Sequence, residues 1–322
     1  MSPLVPFYEV PVFHVGPVPI HGFGILVALG FFFGGNVAMR RAEATGLDPE
    51  AINKVLGWLV LGTFIGGHVG YGLMYEPAEY FADPIKFLQV WQGLSSFGGF
   101  VVCVPLAMYF FKKHKLSLWP YMDSLAIGLS LGWFFGRMGC TVAHDHPGTP
   151  SNFWLAKYCR PVEGHTLALP SWATDPHGDL RWGPCRSSGS AVSSVADVVP
   201  ADFGGVVAAH DMGFYEALWS ISVFGLFLLL DRKPRKPGFY LMLLGILYAP
   251  VRFGMDFLRP DTTDHRVFGL TPGQWWSIAF LVAATFGWIR RARSADRAIG
   301  PTAPLTPDEG GYDAVTGRNG VG

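Results

Sequence analysis

Seven long apolar stretches, separated by shorter polar connections, dominate the sequence. Each stretch approaches the roughly 20 residues that a helix needs to cross a ~30 Å hydrocarbon core. The pattern predicts an all-α, polytopic membrane protein whose seven transmembrane helices lie within residues 1–294. The predicted helices cover residues 20–39, 54–75, 93–111, 121–143, 213–230, 238–258 and 271–289.

Two segments fall outside this pattern. Residues 144–212, between the fourth and fifth helices, are rich in Gly, Pro, Ser and Asp and predict a small extracytoplasmic cap. Cys159 and Cys185 lie in this insertion, where oxidation is possible, and either form a disulfide or remain two free thiols. Residues 295–322 contain Pro, Gly and Asp without periodicity, which predicts a disordered cytoplasmic tail.

The composition supports a membrane protein and argues against two other classes. Half of the 322 residues are hydrophobic and 15% are charged, whereas a typical soluble chain carries about 25% charged residues. The 24 basic and 24 acidic residues cancel, which argues against a nucleic-acid-binding protein. The four cysteines form no C-x-x-C pair, so the sequence predicts no structural zinc module.

The basic residues predict the orientation in the membrane. They follow the first, third, fifth and seventh helices, and these connections share one side of the membrane. By the positive-inside rule this side is cytoplasmic. We therefore expect seven helices with the N-terminus outside and the C-terminus inside the cell. The basic residues are Arg40, Arg41 and Lys54, then Lys112, Lys113 and Lys115, then Arg232, Lys233, Arg235 and Lys236, and finally Arg290, Arg291, Arg293 and Arg297.

Few ionisable residues lie inside the predicted helices, and most are near the outer ends. Each costs roughly a few kcal/mol at membrane depth, so each is a candidate functional residue. Arg252, Asp256 and Arg259 are spaced i, i+4 and i+7 and share one helical face. Guanidinium groups in such a place suit a phosphodiester or a carboxylate, because their planar fork donates two hydrogen bonds. The alternative is an ion-pair network that only fixes helix packing. The other ionisable residues within the predicted helices are His21, His68, Asp123, Arg137 and Glu216.

A His144-Asp145-His146 run follows the fourth helix. Together with His68 and His210 it would provide ligands for a metal ion. The alternative is a solvated loop without chemistry.

Several short motifs occur in an order typical of one family. The chain resembles bacterial prolipoprotein diacylglyceryl transferase over nearly all of residues 10–290. No single motif is specific, but their order, their spacing and the seven-helix layout agree. The motifs are Ile20-His21-Gly22-Phe23-Gly24, Gly66-Gly67-His68-Val69-Gly70-Tyr71 with Tyr75, Trp91-Gln92-Gly93-Leu94-Ser95 before Gly98-Gly99, Gly136-Arg137-Met138-Gly139, Tyr215-Glu216, Tyr248 with Arg252, and Gly273-Gln274.

The resemblance implies a reaction, its partners and a location in the bacterial inner membrane, with a periplasmic N-terminus and a cytoplasmic C-terminus. The family transfers the diacylglyceryl group of phosphatidylglycerol to the lipobox cysteine in the signal peptide of a prolipoprotein, forming a thioether and glycerol phosphate. It implies that Arg137, Arg252 and Arg259 bind the phospholipid. The implied partners are phosphatidylglycerol, the prolipoprotein and the membrane, without nucleic acid, cofactor or metal. The expected supporting polar residues are His21, His68, Tyr71, Glu216, Tyr248 and Asp256.

The chain departs from the family pattern at several motif positions. Phe97 stands where the family usually has a histidine that is often assigned to activating the thiol. The family signature Gly-Arg-x-Gly-Asn-Phe-x-Asn-x-Glu reads here Gly136-Arg137-Met138-Gly139-Cys140-Thr141-Val142-Ala143-His144-Asp145. His68 replaces an arginine, and Phe23 replaces a tyrosine.

These departures leave three hypotheses open. In the first, His144 or His146 replaces the missing base with Asp145 close by, because a neutral histidine can accept a thiol proton near pH 7. The chain is then an active, divergent transferase with His144, Asp145 and His146 as catalytic residues. In the second, it is a catalytically degenerate paralogue that binds phospholipid or lipoprotein. In the third, it is a metal-dependent membrane hydrolase.

Overall fold

The protein is mostly helical in the part of the chain that the computed structural model describes. This part comprises residues 4–5, 12–15, 18–89, 95–144, 146–151, 153–158, 208–259, 266–309, 311–313 and 318–319. The long helices are α1 (Gly22–Ala44), α2 (Pro49–Tyr75), α4 (Ser96–Lys113), α5 (Leu118–Ala143), α6 (Met212–Leu230), α7 (Phe239–Met255) and α8 (Pro272–Ala292), and a short α3 (Pro77–Ala82) follows α2.

Each of the seven predicted apolar stretches overlaps one of these long helices. Five spans within the described residues are long and apolar enough to cross a membrane, which agrees with a polytopic, mainly α-helical membrane protein. They are Gly22–Ala44, Pro49–Leu73, Leu118–Ala143, Met212–Leu230 and Phe239–Leu258.

Short antiparallel strands, which the all-α prediction did not include, lie before α1, between α5 and α6, and after α8. β1 (Phe13–Val15) and β2 (Val18–Ile20) form a hairpin before α1. In the 144–212 insertion, β5 (Ala208–Asp211) is the central strand between β3 (Pro147–Pro150) and β4 (Lys157–Tyr158). A last pair, β6 (Tyr312–Asp313) and β7 (Arg318–Asn319), follows α8. Cys159 and Cys185 lie outside the described residues.

The chain divides into two compact units, each made of segments that are separate in the sequence. The first unit contains Met1–Gly34, Ile127–Leu230 and Phe239–Ser294. The second contains Gly35–Ala126, Asp231–Gly238 and Ala295–Gly322.

Glycines bring helices into close contact within each unit. In the second unit, a Cβ added to Gly98 of α4 would lie 2.3 Å from the carbonyl oxygen of Gly66 of α2. In the first unit, a Cβ on Gly34 of α1 would lie 2.6 Å from the carbonyl oxygen of Gly128 of α5. Small residues at such contacts let helix backbones approach closely, a common way of packing membrane helices.

The segment after α8 belongs to the second unit, and two of its apolar residues contact the rest of that unit. Ile299 is buried and pairs with Arg235 through backbone hydrogen bonds of 2.8 and 2.9 Å. Leu305 packs against the apolar core formed by α1, α2, α4 and the start of α5, and its amide donates to the Thr45 carbonyl at 3.0 Å. Ile299 is thus buried and Leu305 half-buried, and their contacts hold this part of the segment to the second unit.

Candidate functional site

Arg137 of α5 and Glu216 of α6 form a buried ion pair in the first unit. The Arg137 Nε lies 2.7 Å from Glu216 Oε2, and the side chains are 15% and 2% exposed. Trp133 Nε1 and the Tyr248 hydroxyl donate to the same carboxylate oxygen at 3.3 and 3.2 Å. The Arg137 guanidinium also lies 4.9 Å from the Trp133 ring centroid, a cation–π contact. We call these four residues the Arg137 cluster.

The helix packing that forms this cluster depends on Gly213 at the start of α6. A Cβ at this position would lie 2.8 Å from Thr141 Oγ1 and 3.0 Å from the Arg137 carbonyl oxygen. The first turn of α6 therefore rests directly on the backbone of α5, and Glu216 on the same helix reaches Arg137.

A second cluster surrounds Asp256, which is fully buried at the end of α7. Its Oδ1 lies 2.5 Å from Arg252 Nη1 and 3.8 Å from Arg259 Nη1. Its Oδ2 accepts a 2.5 Å hydrogen bond from the Thr271 hydroxyl. Thr271 is also the N-cap of α8, in a capping box with Gln274. We call Asp256, Arg252, Arg259 and Thr271 the Asp256 cluster.

Gly273 permits the start of α8 to lie against this cluster. A Cβ on Gly273 would lie 2.5 Å from Asp256 Oδ2 and 3.2 Å from Arg252 Nη2. The Gly273-Gln274 motif, which contributes to the family resemblance, therefore has a physical role in packing.

One face of α7 connects the two clusters. Tyr248, Arg252 and Asp256 are spaced i, i+4 and i+8, so they share a face. Tyr248 contacts Glu216 in the first cluster, and Arg252 contacts Asp256 in the second. The side chains of Arg252 and Arg259 are 21% and 23% exposed. The first unit thus presents three partly exposed arginines held by two buried carboxylates.

The His144-Asp145-His146 run lies where α5 ends and β3 begins. His144 is only 2% exposed and has a φ of +52°, the left-handed conformation that ends many helices. Its burial does not fit the solvated-loop interpretation. His146 is half-buried, and its carbonyl accepts the amide of Met212, the first residue of α6, at 3.2 Å. Asp145 lies outside the described residues.

His68 and Tyr71 belong to the second unit, whereas both arginine clusters belong to the first. His68 is fully buried, and its Nε2 lies 2.8 Å from the Lys86 carbonyl oxygen. Because a carbonyl oxygen only accepts, Nε2 carries the proton. The Tyr71 hydroxyl donates to Glu76 at 2.8 Å. These contacts hold the segment after α2 to that helix.

Two further predicted residues have simpler surroundings. His21 is exposed, directly before α1. Asp123, which we expected at the inner end of the fourth helix, is buried in the second unit and accepts the Gly238 amide at 2.8 Å.

A buried ion pair in the 144–212 insertion was not among the predicted site residues. Lys157 Nζ lies 2.6 Å from Asp211 Oδ2, with the side chains 6% and 5% exposed. Asp211 directly precedes α6, and its position before an apolar helix is an N-cap signal that could have identified it. Lys157 carries no comparable signal, because its partner is 54 positions away in a strand pairing that the hydrophobic pattern does not specify.

Next to this pair, His210 and Tyr215 form a small aromatic contact. His210 Nδ1 lies 2.9 Å from the Tyr215 hydroxyl, and Phe153 packs nearby. Burial lowers the pKa of His210 below its ordinary value, because the charged ring loses solvation.

Within the residues that the structure describes, no group of three or more His, Cys, Asp or Glu side chains is placed to hold a metal ion. The described cysteines, Cys103 and Cys140, are free thiols of intermediate burial. Cys140 Sγ lies 3.8 Å from Arg137 Nη1.

The sequence as a whole is similar to one enzyme family. The profile of the family described as "Prolipoprotein diacylglyceryl transferase" matches residues 11–290. A protein from Paraburkholderia phymatum named phosphatidylglycerol–prolipoprotein diacylglyceryl transferase is 29% identical over 308 residues, covering 92% of this chain and 98% of that protein. Proteins of the same name from Chromohalobacter salexigens and Burkholderia cenocepacia are also 29% identical, covering 86% and 91% of this chain.

Proposed function

Because the chain belongs to the prolipoprotein diacylglyceryl transferase family, we propose that it transfers the diacylglyceryl group of phosphatidylglycerol to the lipobox cysteine of prolipoproteins. The observation that supports this function most directly is the arrangement of Arg137 and Arg252. Each is held by a buried carboxylate and each is partly exposed. Arg252 lies one helical turn after Tyr248, whose hydroxyl donates to Glu216, the partner of Arg137.

The charge change in the reaction explains why arginines are needed. The cysteine sulfur attacks the diacylglycerol carbon that carries the phosphate. The S–C bond forms, and the bond between that carbon and the phosphate oxygen breaks. Glycerol phosphate leaves with the electron pair of that bond, so its phosphate gains a second negative charge. Arg137 and Arg252 stabilise this developing charge, and Arg259 supports the phosphodiester before reaction. Pre-formed ion pairs keep the guanidinium groups in place, so little reorganisation is needed when the lipid binds.

The thiol proton requires an acceptor, since the thiolate is the attacking species. Phe97 stands where the family usually has a histidine, and we assign this task to His144 or His146, with Asp145 next to them. His144 lies in the same unit as both arginine clusters and directly follows the helix that carries Arg137, which supports the assignment.

The same proposal orients the chain in the inner membrane. All seven long helices span the bilayer, the N-terminus and the 144–212 insertion are periplasmic, and the C-terminal segment is cytoplasmic. The basic connections after α1, α4, α6 and α8 support this orientation. In this orientation the Arg137 cluster and the Asp256 cluster lie at the outer leaflet, where a prolipoprotein presents its lipobox cysteine.

Reconstitution tests the proposed reaction. The purified protein in vesicles of phosphatidylglycerol is incubated with a lipobox peptide, and the mass of the peptide is followed. We expect a mass increase of one diacylglyceryl group and release of glycerol phosphate. A matched peptide with the lipobox cysteine changed to serine should remain unmodified. Complementation of a transferase-depleted Gram-negative cell checks the same activity in a living membrane.

The loss of the family histidine favours one second candidate, a degenerate paralogue that binds phospholipid or lipoprotein without reaction. In that case phosphatidylglycerol copurifies with the protein, but the peptide mass never changes and complementation fails. An unmodified peptide together with retained phosphatidylglycerol would therefore replace the transferase proposal with this one.

A further inference from the structure

The buried pair Lys157–Asp211 has no role in the reaction described above, yet it joins the two helices that form the Arg137 cluster. Lys157 lies on β4, and Asp211 is the last residue of β5. A buried pair of charges is costly to assemble and contributes little net stability compared with apolar residues. Its presence beside Arg137 therefore points to a geometric role.

Each charge of the pair lies at the helix end that it suits. Lys157 Nζ donates to the Thr141 carbonyl at 2.9 Å, in the last turn of α5. The last carbonyls of a helix lack intrahelical partners, and a cation is favoured there. Asp211 caps α6, with Oδ1 accepting the Phe214 amide at 2.9 Å. A carboxylate is favoured at this end of a helix.

The pair is connected to Arg137 through one threonine. The Thr141 hydroxyl lies 3.2 Å from the Arg137 carbonyl oxygen and 3.3 Å from Asp211 Oδ1. Glu216 follows Asp211 by little more than one helical turn and binds Arg137 Nε. The contacts of Lys157, Thr141 and Asp211 thus tie together the same two turns that carry Arg137 and Glu216.

We propose that Lys157 and Asp211 are positioning residues for lipid transfer, which hold the Arg137 guanidinium against Glu216 at the place where it meets the lipid phosphate. This inference rests on the proposed function, in which Arg137 stabilises the phosphate. A displacement of about 1 Å at a catalytic group can cost on the order of 100-fold in rate. A pair that fixes two helix ends therefore has a large effect without contacting the lipid.

The experiment uses Lys157→Met, which keeps the length of the side chain, and Asp211→Asn, which keeps a helix-capping oxygen. For each variant we expect kcat to fall about 10- to 100-fold. The KM for phosphatidylglycerol should rise only about 3-fold, because the phosphate carries one charge in the ground state and a second develops in the transition state.

A matched control is the buried pair Arg41–Asp231 of the second unit. Arg41 Nη2 lies 3.0 Å from Asp231 Oδ1, and the side chains are 8% and 13% exposed. We expect Arg41→Met and Asp231→Asn to lower the melting temperature by about as much as Lys157→Met and Asp211→Asn do. Their kcat per folded molecule should stay within about 2-fold of the wild type, because additivity holds for independent sites.

Combination with Arg137→Lys separates positioning from stability. If the pair acts through Arg137, Asp211→Asn should lower kcat by less than about 2-fold when Arg137 is already replaced by lysine, since the effects of coupled residues are not additive. An equal loss in both backgrounds, or a loss no larger than that of the control pair, would overturn the inference while leaving the transferase proposal intact.

A wild-type protein without turnover would contradict the proposed function, and lipid affinity then tests the inference. The affinity of the detergent-solubilised protein for phosphatidylglycerol in mixed micelles should weaken by about 3-fold or more in both variants and in neither control, because the phosphate still requires a correctly placed Arg137. Unchanged binding would show that the pair serves only the fold.

Discussion

The carboxylate of Glu216 lies 2.7 Å from Nε of Arg137, and the same oxygen accepts hydrogen bonds from Trp133 and Tyr248. The ion pair uses one of the three guanidinium nitrogens. The other two are chemically able to donate to a phosphate. Glu216 therefore orients Arg137 without occupying its whole donor set.

Replacement of Arg137 should separate catalysis from stability. Arg137→Ala leaves Glu216 as an unpaired buried charge, which costs about 3–5 kcal/mol of unfolding free energy, and lowers lipid transfer by on the order of 100-fold or more. The double variant Arg137→Ala/Glu216→Gln should recover most of the stability but none of the activity. Transfer and melting temperature are measured on the same preparations. Near wild-type transfer by either variant would disprove the role of Arg137.

Gly273→Ala tests the packing of α8 on the Asp256 cluster. The added methyl would lie 2.5 Å from Asp256 Oδ2, so Asp256 or the helix must move, at a cost of about 1–3 kcal/mol. We expect lower thermal stability and weaker transfer, because Asp256 also holds Arg252 and Arg259. Gly225→Ala in α6 is the control, since nothing lies within 4 Å of that position. Equal behaviour of the two variants would argue against close packing at Gly273.

His144 and His68 should affect different properties. His144→Asn retains a residue that tolerates positive φ and removes the base, so we expect lost transfer with a nearly normal melting temperature. His68→Ala removes the hydrogen bond to the Lys86 carbonyl and leaves a cavity, so it should lower stability more than transfer. Transfer rates per folded molecule, measured beside the melting temperatures, distinguish a catalytic effect of His144→Asn from a structural effect of His68→Ala. Small, equal effects on the rate would exclude His144 as the replacement base.

The lowered pKa of His210 predicts a pH dependence of stability. In the unfolded chain His210 has the ordinary histidine pKa of about 6.5. In the folded protein its pKa is lower, so the folded protein binds this proton only at lower pH. Neutral His210 therefore contributes fully to the free energy of unfolding above about pH 6.5. This contribution is lost as the pH falls through the pKa of His210 in the folded protein. Melting temperatures between pH 5 and 8 should show less acid sensitivity for His210→Gln than for the wild type. Parallel curves would contradict the prediction.

The ordered segment after α8 should contribute to stability. Leu305→Asp places a charge against the apolar core of the second unit, which is expected to lower the melting temperature clearly. Thr302→Asp is a control in the same segment, because Thr302 is exposed. Deletion of residues 295–322 should destabilise as much as Leu305→Asp. A fully stable deletion variant would mean that the segment is dispensable.

Sequence patterns predicted the positions of the helices better than the contacts between side chains of different helices and strands. Apolar runs of about 20 residues are strong signals, and each predicted stretch overlaps a long helix. Arg252 and Asp256 are four residues apart on one helix, so their ion pair follows from local spacing.

Contacts between distant parts of the chain lie beyond such patterns. Glu216 and Arg137 come from different helices, and Lys157 and Asp211 from different strands. Thr271 reaches Asp256 from the N-cap of α8. Leu305 and Ile299 lie in the segment whose composition predicts a disordered tail, because two apolar residues without periodicity give no signal until the residues that they pack against are known. Pairing of this kind depends on tertiary packing and on register, which hydrophobicity alone does not specify.

The location of residues 295–309 has a consequence for biogenesis. The second unit combines segments that lie far apart along the chain, so Leu305 can reach its place beside Thr45 only after all the long helices have been synthesised. The second unit is therefore completed only after α8 has been made. A chain that terminates early near the end of α8 would expose an incomplete apolar surface to the quality-control proteases of the cell.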